Sequence, residues 1–139
     1  MIRTGLFIFL ITCNLTMLAN RLPPGEKVLL IQVESSGLIR VGRDTIGSDN
    51  LARYVQERLF KSYMGTGEMH DRIRLEKADA SVPGPVIDVV IAEIRSGQER
   101  ALRELCTQKY NRSVASLDPK KQDKLRKKFP VLFQPIIPN

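Results

Sequence analysis

With 139 residues, 42% of them apolar, the chain has material for one modest domain, and about 25 residues at its start differ in composition from the rest. Its net charge of +7 is uneven: residues 26–97 carry 10 basic and 11 acidic side chains, whereas residues 98–139 carry 10 and 4. A neutral middle with a basic tail argues against a domain built around nucleic acid, and Cys13 and Cys106 lie in such different contexts that no disulfide between them is expected.

Residues 1–22 open with MIRTGLFIFLITCNLTMLA, in which Arg3 is the only charge and the apolar run extends from Gly5 to Ala19. A retained membrane anchor is the favoured reading, although 15 helical residues cover about 22 Å against a hydrocarbon core of about 30 Å. A cleaved signal peptide competes with it, but Met17-Leu18-Ala19 is a poor cleavage site. A lipoprotein signal modifying Cys13 is the third reading, with Thr12 where a smaller residue is expected. Residues 23–27, with Pro23-Pro24-Gly25, form a stiff spacer.

The expected folded domain covers residues 28–115. Val28–Val33 and Leu38–Val41 are apolar, β-rich runs joined by Ser35-Ser36-Gly37, which predicts a hairpin. Ser48 is the expected N-cap of a first helix with the apolar face Leu51, Tyr54, Val55, Leu59 and Tyr63, and Gly65-Thr66-Gly67 is its expected stop. In the next segment Ile73 and Leu75 alternate with Arg74 and Glu76, as in a half-buried strand. The breaker cluster from Ser81 to Pro85 follows, with Pro85 expected at the first helical position.

Val86, Val90, Ile94, Gly97, Ala101 and Leu105 are spaced 4, 4, 3, 4 and 4 apart, which keeps them on one side of a single helix running past Gly97. The resulting β-β-α-β-α order predicts an α+β fold, a small sheet with helices on one face. Residues 116–139 are set apart as a basic helix and an extended tail. Asp118 caps that helix and Pro119 starts it, Leu125 and Phe129 are its docking positions, and its cations either remain solvated or attract anionic lipid head groups. Pro130, Pro135 and Pro138 predict an extended, mobile end.

Chemistry-bearing residues are sparse. His70, the single histidine, reads as a surface loop residue, and one imidazole beside Asp71 is too few ligands for a metal. Asp79 and Asp88 form an acid pair only if the fold brings them together; as structural residues they end a strand and sit in the first turn of the long helix. Gly65-Thr66-Gly67 lacks the Lys-Ser/Thr of a phosphate loop. The expectation is therefore no enzyme, no catalytic or metal residue, no cofactor and no specific nucleic-acid partner.

The order of features is more specific than any motif. LFIFLITCNLTM, a Leu-Pro-Pro spacer, VLLIQVESSGLIRVGRD, a helix opened by SDNL, and IRLEKADASVPGPVIDVVIAEI together resemble the ExbD/TolR family of biopolymer transport proteins. The segment from Arg103 to Pro130 is similar to the Bacteroidetes-type version, in which a long helix and a charged helix replace the usual last strand. The resemblance implies a single-pass protein of the Gram-negative inner membrane with its C-terminal domain in the periplasm. It implies a homodimer that pairs with an ExbB/TolQ-like polytopic protein and passes proton-motive force to a TonB-like protein. Family members carry an intramembrane Asp that takes the proton, whereas the first acidic residue here is Glu26, so the resemblance gives that role to no residue of this chain. Either a carboxylate upstream of Met1 or a paralogue that anchors without translocating is expected. The alternative function is a secreted or lipid-anchored periplasmic binding module, its mature chain starting near Cys13 or Asn20.

Overall fold

The structure, a computed structural model, describes residues 26–65 and 69–134. The expected anchor, most of the spacer, Thr66 and Gly67 of the expected helix stop, and residues 135–139 lie outside the described residues. None of the described helices is long and apolar enough to cross a membrane.

Mixed strands and helices follow the expected order with one added strand and a short 3-10 turn at Val114–Ser116. Strands β1 (Val28–Val33) and β2 (Ile39–Val41) form the hairpin, helix α1 spans Ser48–Tyr63, strand β4 spans Arg72–Lys77, and helices α2 (Gly84–Tyr110) and α3 (Pro119–Lys128) complete the unit. The added strand is β3 (Asp44–Ile46), which pairs with β2 across a turn where Gly42 has φ 62°. Gly37, at φ 83°, turns β1 into β2, and β2 starts at Ile39 because Leu38 remains in the turn and exposed. The sheet order is β3-β2-β1-β4, with β1 antiparallel to β2 and parallel to β4.

One face of this sheet is buried. Leu29, Ile31 and Val33 of β1, Ile39 and Val41 of β2, and Ile73 of β4 meet Leu51, Val55 and Leu59 of α1 and Val90, Ile94 and Ala101 of α2. The alternate residues Gln32, Arg40, Arg74 and Glu76 point to the other face, where Arg74 pairs with Glu76 at 2.7 Å. The long helix continues past Gly97 as its stripe predicts. Gly97 is buried against α1, and Leu105 and Cys106 start a second cluster with Leu117, Leu125 and Phe129.

Local capping departs from expectation at three points. Gly47 occupies the N-cap of α1 and Ser48 is the first helical residue, since β3 ends at Ile46 and leaves one extended residue between the elements. Pro83 occupies the N-cap of α2, so Gly84 comes first and Pro85 second. Asp88 consequently falls beyond the first turn, which holds no acid. At α3 the expectation holds: Asp118 caps the helix by accepting the Lys121 N–H at 2.9 Å, and Pro119 follows.

The end of the described chain is docked, which corrects the expectation of mobility. Leu132 and Phe133 are buried in the main core. The Gln98 side-chain oxygen accepts the N–H groups of Leu132 and Phe133 at 2.8 and 3.0 Å, and the Leu132 carbonyl accepts the Ile73 N–H at 3.0 Å. Extension after Pro130 is as read, but apolar burial and these three bonds hold the segment in place.

Candidate functional site

β4 is an edge strand of the four-stranded sheet, and its outer edge is the candidate recognition feature among the described residues. Backbone polar groups alternate along a strand, so those that do not face β1 face outward. The Ala78 N–H points inward to the Val33 carbonyl at 2.8 Å, and the Ile73 N–H points outward to Leu132. By the same alternation the N–H groups of Leu75 and Lys77 point outward, and neither has a backbone partner among the described residues. An unpaired strand edge is a template for another extended chain.

That edge opens into a groove of ≈ 780 Å³ between β4, the first turns of α2 and the segment after Pro130. Ile87 and Ile91, half-buried on α2, form one wall, and Val131, 63% exposed, stands on the other. Donors spaced two residues apart beside apolar walls suit an extended peptide, which pairs by its backbone and lodges alternate side chains. A smaller depression of ≈ 370 Å³, lined by Tyr63, Leu102, Phe129 and Phe133 among others, lies on the α2 and α3 side of the same segment. There the Tyr63 ring meets the Phe129 ring at 4.9 Å with a tilt of 56°, and its hydroxyl donates to the Pro130 carbonyl at 3.3 Å. Burial pushes the Tyr63 phenol up to about 12.

Charge is distributed around these features. Arg72 pairs with Glu26 at 2.5 Å where the described chain begins. Lys120, Lys121, Lys124, Arg126, Lys127 and Lys128 are all exposed on α3, while Leu125 is buried beneath them. Arg126, Lys127 and Lys128 occupy the last turn, where the helix dipole favours cations.

The residues weighed from sequence are dispersed. His70 lies between α1 and β4 and is half-buried rather than at the surface, with its N–H donating to Ser62 Oγ at 3.2 Å. Asp79 is in the turn after β4 and accepts both the backbone N–H and the hydroxyl of Ser81, which hold its carboxyl below the usual range. Asp88 is exposed on α2, and no contact joins it to Asp79 among the described residues. Cys106 is a buried free thiol whose pKa burial raises. Among the described residues no group of three His, Cys, Asp or Glu could hold a metal ion.

Sequence reasoning missed the groove. Ile87 and Ile91 fall outside the stripe facing α1, and nothing local marks β4 as an edge. The apolar triplet Val131-Leu132-Phe133 was the available signal that the chain beyond Pro130 packs.

Fold and groove together define a class: a small α+β domain with one covered sheet face and, among the described residues, a strand edge paired only at Ile73. Neither a scan against protein-family models nor a search of the curated proteins finds a match to this chain.

Proposed function

We propose that this chain is an ExbD/TolR-like accessory subunit of a proton-motive-force-driven inner-membrane complex serving TonB-type outer-membrane import. In this reading residues 1–22 anchor it as a single-pass protein, the spacer holds the domain close to the bilayer, and the domain works in the periplasm. The observation that carries the reading is the outer edge of β4, where the Leu75 and Lys77 N–H groups have no backbone partner among the described residues, beside the ≈ 780 Å³ groove, a seat for an extended segment of a TonB-like partner. The order of elements supports it: an apolar stretch, a Pro-Pro spacer and a one-faced α+β unit. The ExbB/TolQ-like subunit and a second copy of the chain complete the assembly that the resemblance implies.

Deleting the chain from the cell that makes it tests the proposal. Protonophore-sensitive uptake across the outer membrane should be lost and should return when the intact chain is restored. Uptake unaffected by the deletion overturns the motor reading. Recovery of a mature chain starting near Cys13 or Asn20 favours the secreted or lipid-anchored binding module instead.

A further inference from the structure

Contacts at one end of the domain place the close of α3 beside the point where the polypeptide arrives from residues 1–25. Lys27 donates its N–H to the Asp71 carboxylate at 2.7 Å, and its carbonyl accepts the Asp71 N–H at 2.8 Å. The backbone N–H of the neighbouring His70 donates to Ser62 Oγ, the next residue Tyr63 packs its ring against Phe129, and Phe129 directly follows the last turn of α3. The start of β1, the end of α1, the start of β4 and the end of α3 therefore share one pole.

We propose that the outer face of α3 is a contact surface for a bilayer bearing anionic lipid head groups. The proposal rests on the reading that residues 1–22 anchor the chain. Leu125 and Phe129 turn inward, so Lys120, Lys124 and Lys127, at i, i+4 and i+7, form a line of about 10 Å along the opposite side. Lys121, Arg126 and Lys128 flank it. The segment has two acids. Asp118 is engaged at the cap and with Lys121 at 3.4 Å, which leaves Asp123 as the single carboxylate toward the lysine face.

Point-like ammonium groups on a convex helix suit a fluid array of head groups, and each cation near such a surface raises its occupancy roughly fivefold. The one amide on the helix, Gln122, is turned to the Leu117 carbonyl at 2.8 Å, and no aromatic ring stands on the lysine face to stack a base. That favours lipid over nucleic acid. Reach favours it too, because the chain from Asn20 to Glu26 spans at most roughly 20 Å, which holds this pole near any membrane that anchors the protein.

The test uses the full chain in bilayer discs of phosphatidylcholine alone or with about one third phosphatidylglycerol, with amine acylation read lysine by lysine by mass spectrometry. Lys120, Lys124 and Lys127 should be protected at least about fivefold in the anionic discs, with protection lost at about 0.5 M salt. Lys77, at the far end of β4, should label equally in both. In a K120Q/K124Q/K127Q variant, all on exposed positions, protection of Lys121 and Lys128 should fall to the level in neutral discs. Equal labelling of α3 in both discs overturns the proposal, as does protection that survives high salt. Protection by an added oligonucleotide and not by anionic lipid overturns it in favour of nucleic acid. Failure of the chain to enter either disc is a separate result: it refutes the anchor and removes this proposal with it.

Discussion

Gly97 offers the sharpest test of the packing. A Cβ at this position lies 2.6 Å from the Ala52 carbonyl oxygen, 2.7 Å from Val55 Cβ and 2.9 Å from Val55 Cγ1. Carbon atoms in ordinary contact need about 3.5 to 4.0 Å, so Gly97→Ala must push α1 and α2 apart by about 1 Å. Against this, Ala gains about 1 kcal/mol of helix propensity over Gly. Overpacking costs about 1 to 3 kcal/mol, and two of the three obstructing atoms are a carbonyl oxygen and a Cβ that cannot rotate away. The cost therefore falls in the upper part of that range, and the net loss is about 1 to 2 kcal/mol. Urea unfolding of the fragment spanning residues 25–139 should show a lower midpoint with an unchanged slope, and thermal unfolding a drop of roughly 4 to 8 °C. Adding Val55→Ala removes both γ-methyls but, of the three obstructing atoms, only Cγ1, so it should relieve only part of the clash. A Gly97→Ala midpoint equal to or above that of wild type would refute the close approach of the two helices.

Other variants probe the remaining supports. Ala101 is fully buried on the same stripe, so Ala101→Asp places a carboxylate in the core and should cost more than about 3 kcal/mol; an unchanged unfolding midpoint would mean that α2 beyond Gly97 is not packed. Tyr63, raised to about 12 from 10.0, is an acid whose folded value exceeds its unfolded one. Its contribution is complete below pH 10 and is lost as pH rises through about 12, so the stability gap between wild type and Tyr63→Phe should shrink over that window by roughly 1 to 2 kcal/mol after allowing for solvent screening. A gap that stays constant with pH would contradict burial of the phenol. For topology, a reporter fused after Asn139 that works only in the periplasm should be active, and activity of a reporter restricted to the cytoplasm would overturn the proposed orientation.

The parts of the fold legible in the sequence were those written in local periodicity. Val90, Ile94, Gly97, Ala101 and Leu105 recur at helical spacing, and each of them is buried. Asp118-Pro119 carries a complete start signal in two residues, and the structure uses both. What escaped depends on partners distant in the chain. β3 has Ile46 as its one apolar residue, and that residue is only half-buried, so it is a strand because β2 aligns it rather than by its own alternation. Val41-Gly42-Arg43-Asp44 was its one local clue, a two-residue turn with Gly where φ must be positive. The docking of Leu132 and Phe133 depends on Gln98, 34 and 35 residues earlier, a polar side chain whose sequence context gives no hint of a clasp. The candidate site was hidden for the same reason: an open edge is a property of strand order, and strand order is set by long-range pairing.

The central claim, that the domain serves an energised import complex through the outer edge of β4, is tested most directly by Lys77→Pro. Proline removes the outward N–H of Lys77 yet leaves the inward bond from Ala78 to Val33 in place, and Lys77 is exposed, so the fold should survive. The measurement is protonophore-sensitive uptake across the outer membrane in a deletion strain carrying either wild-type chain or Lys77→Pro at equal membrane abundance. The account predicts full uptake with wild type and loss of at least about fivefold with the variant, since one lost backbone bond with its unsatisfied partner costs about 1 to 3 kcal/mol. Equal uptake from the two strains would contradict it.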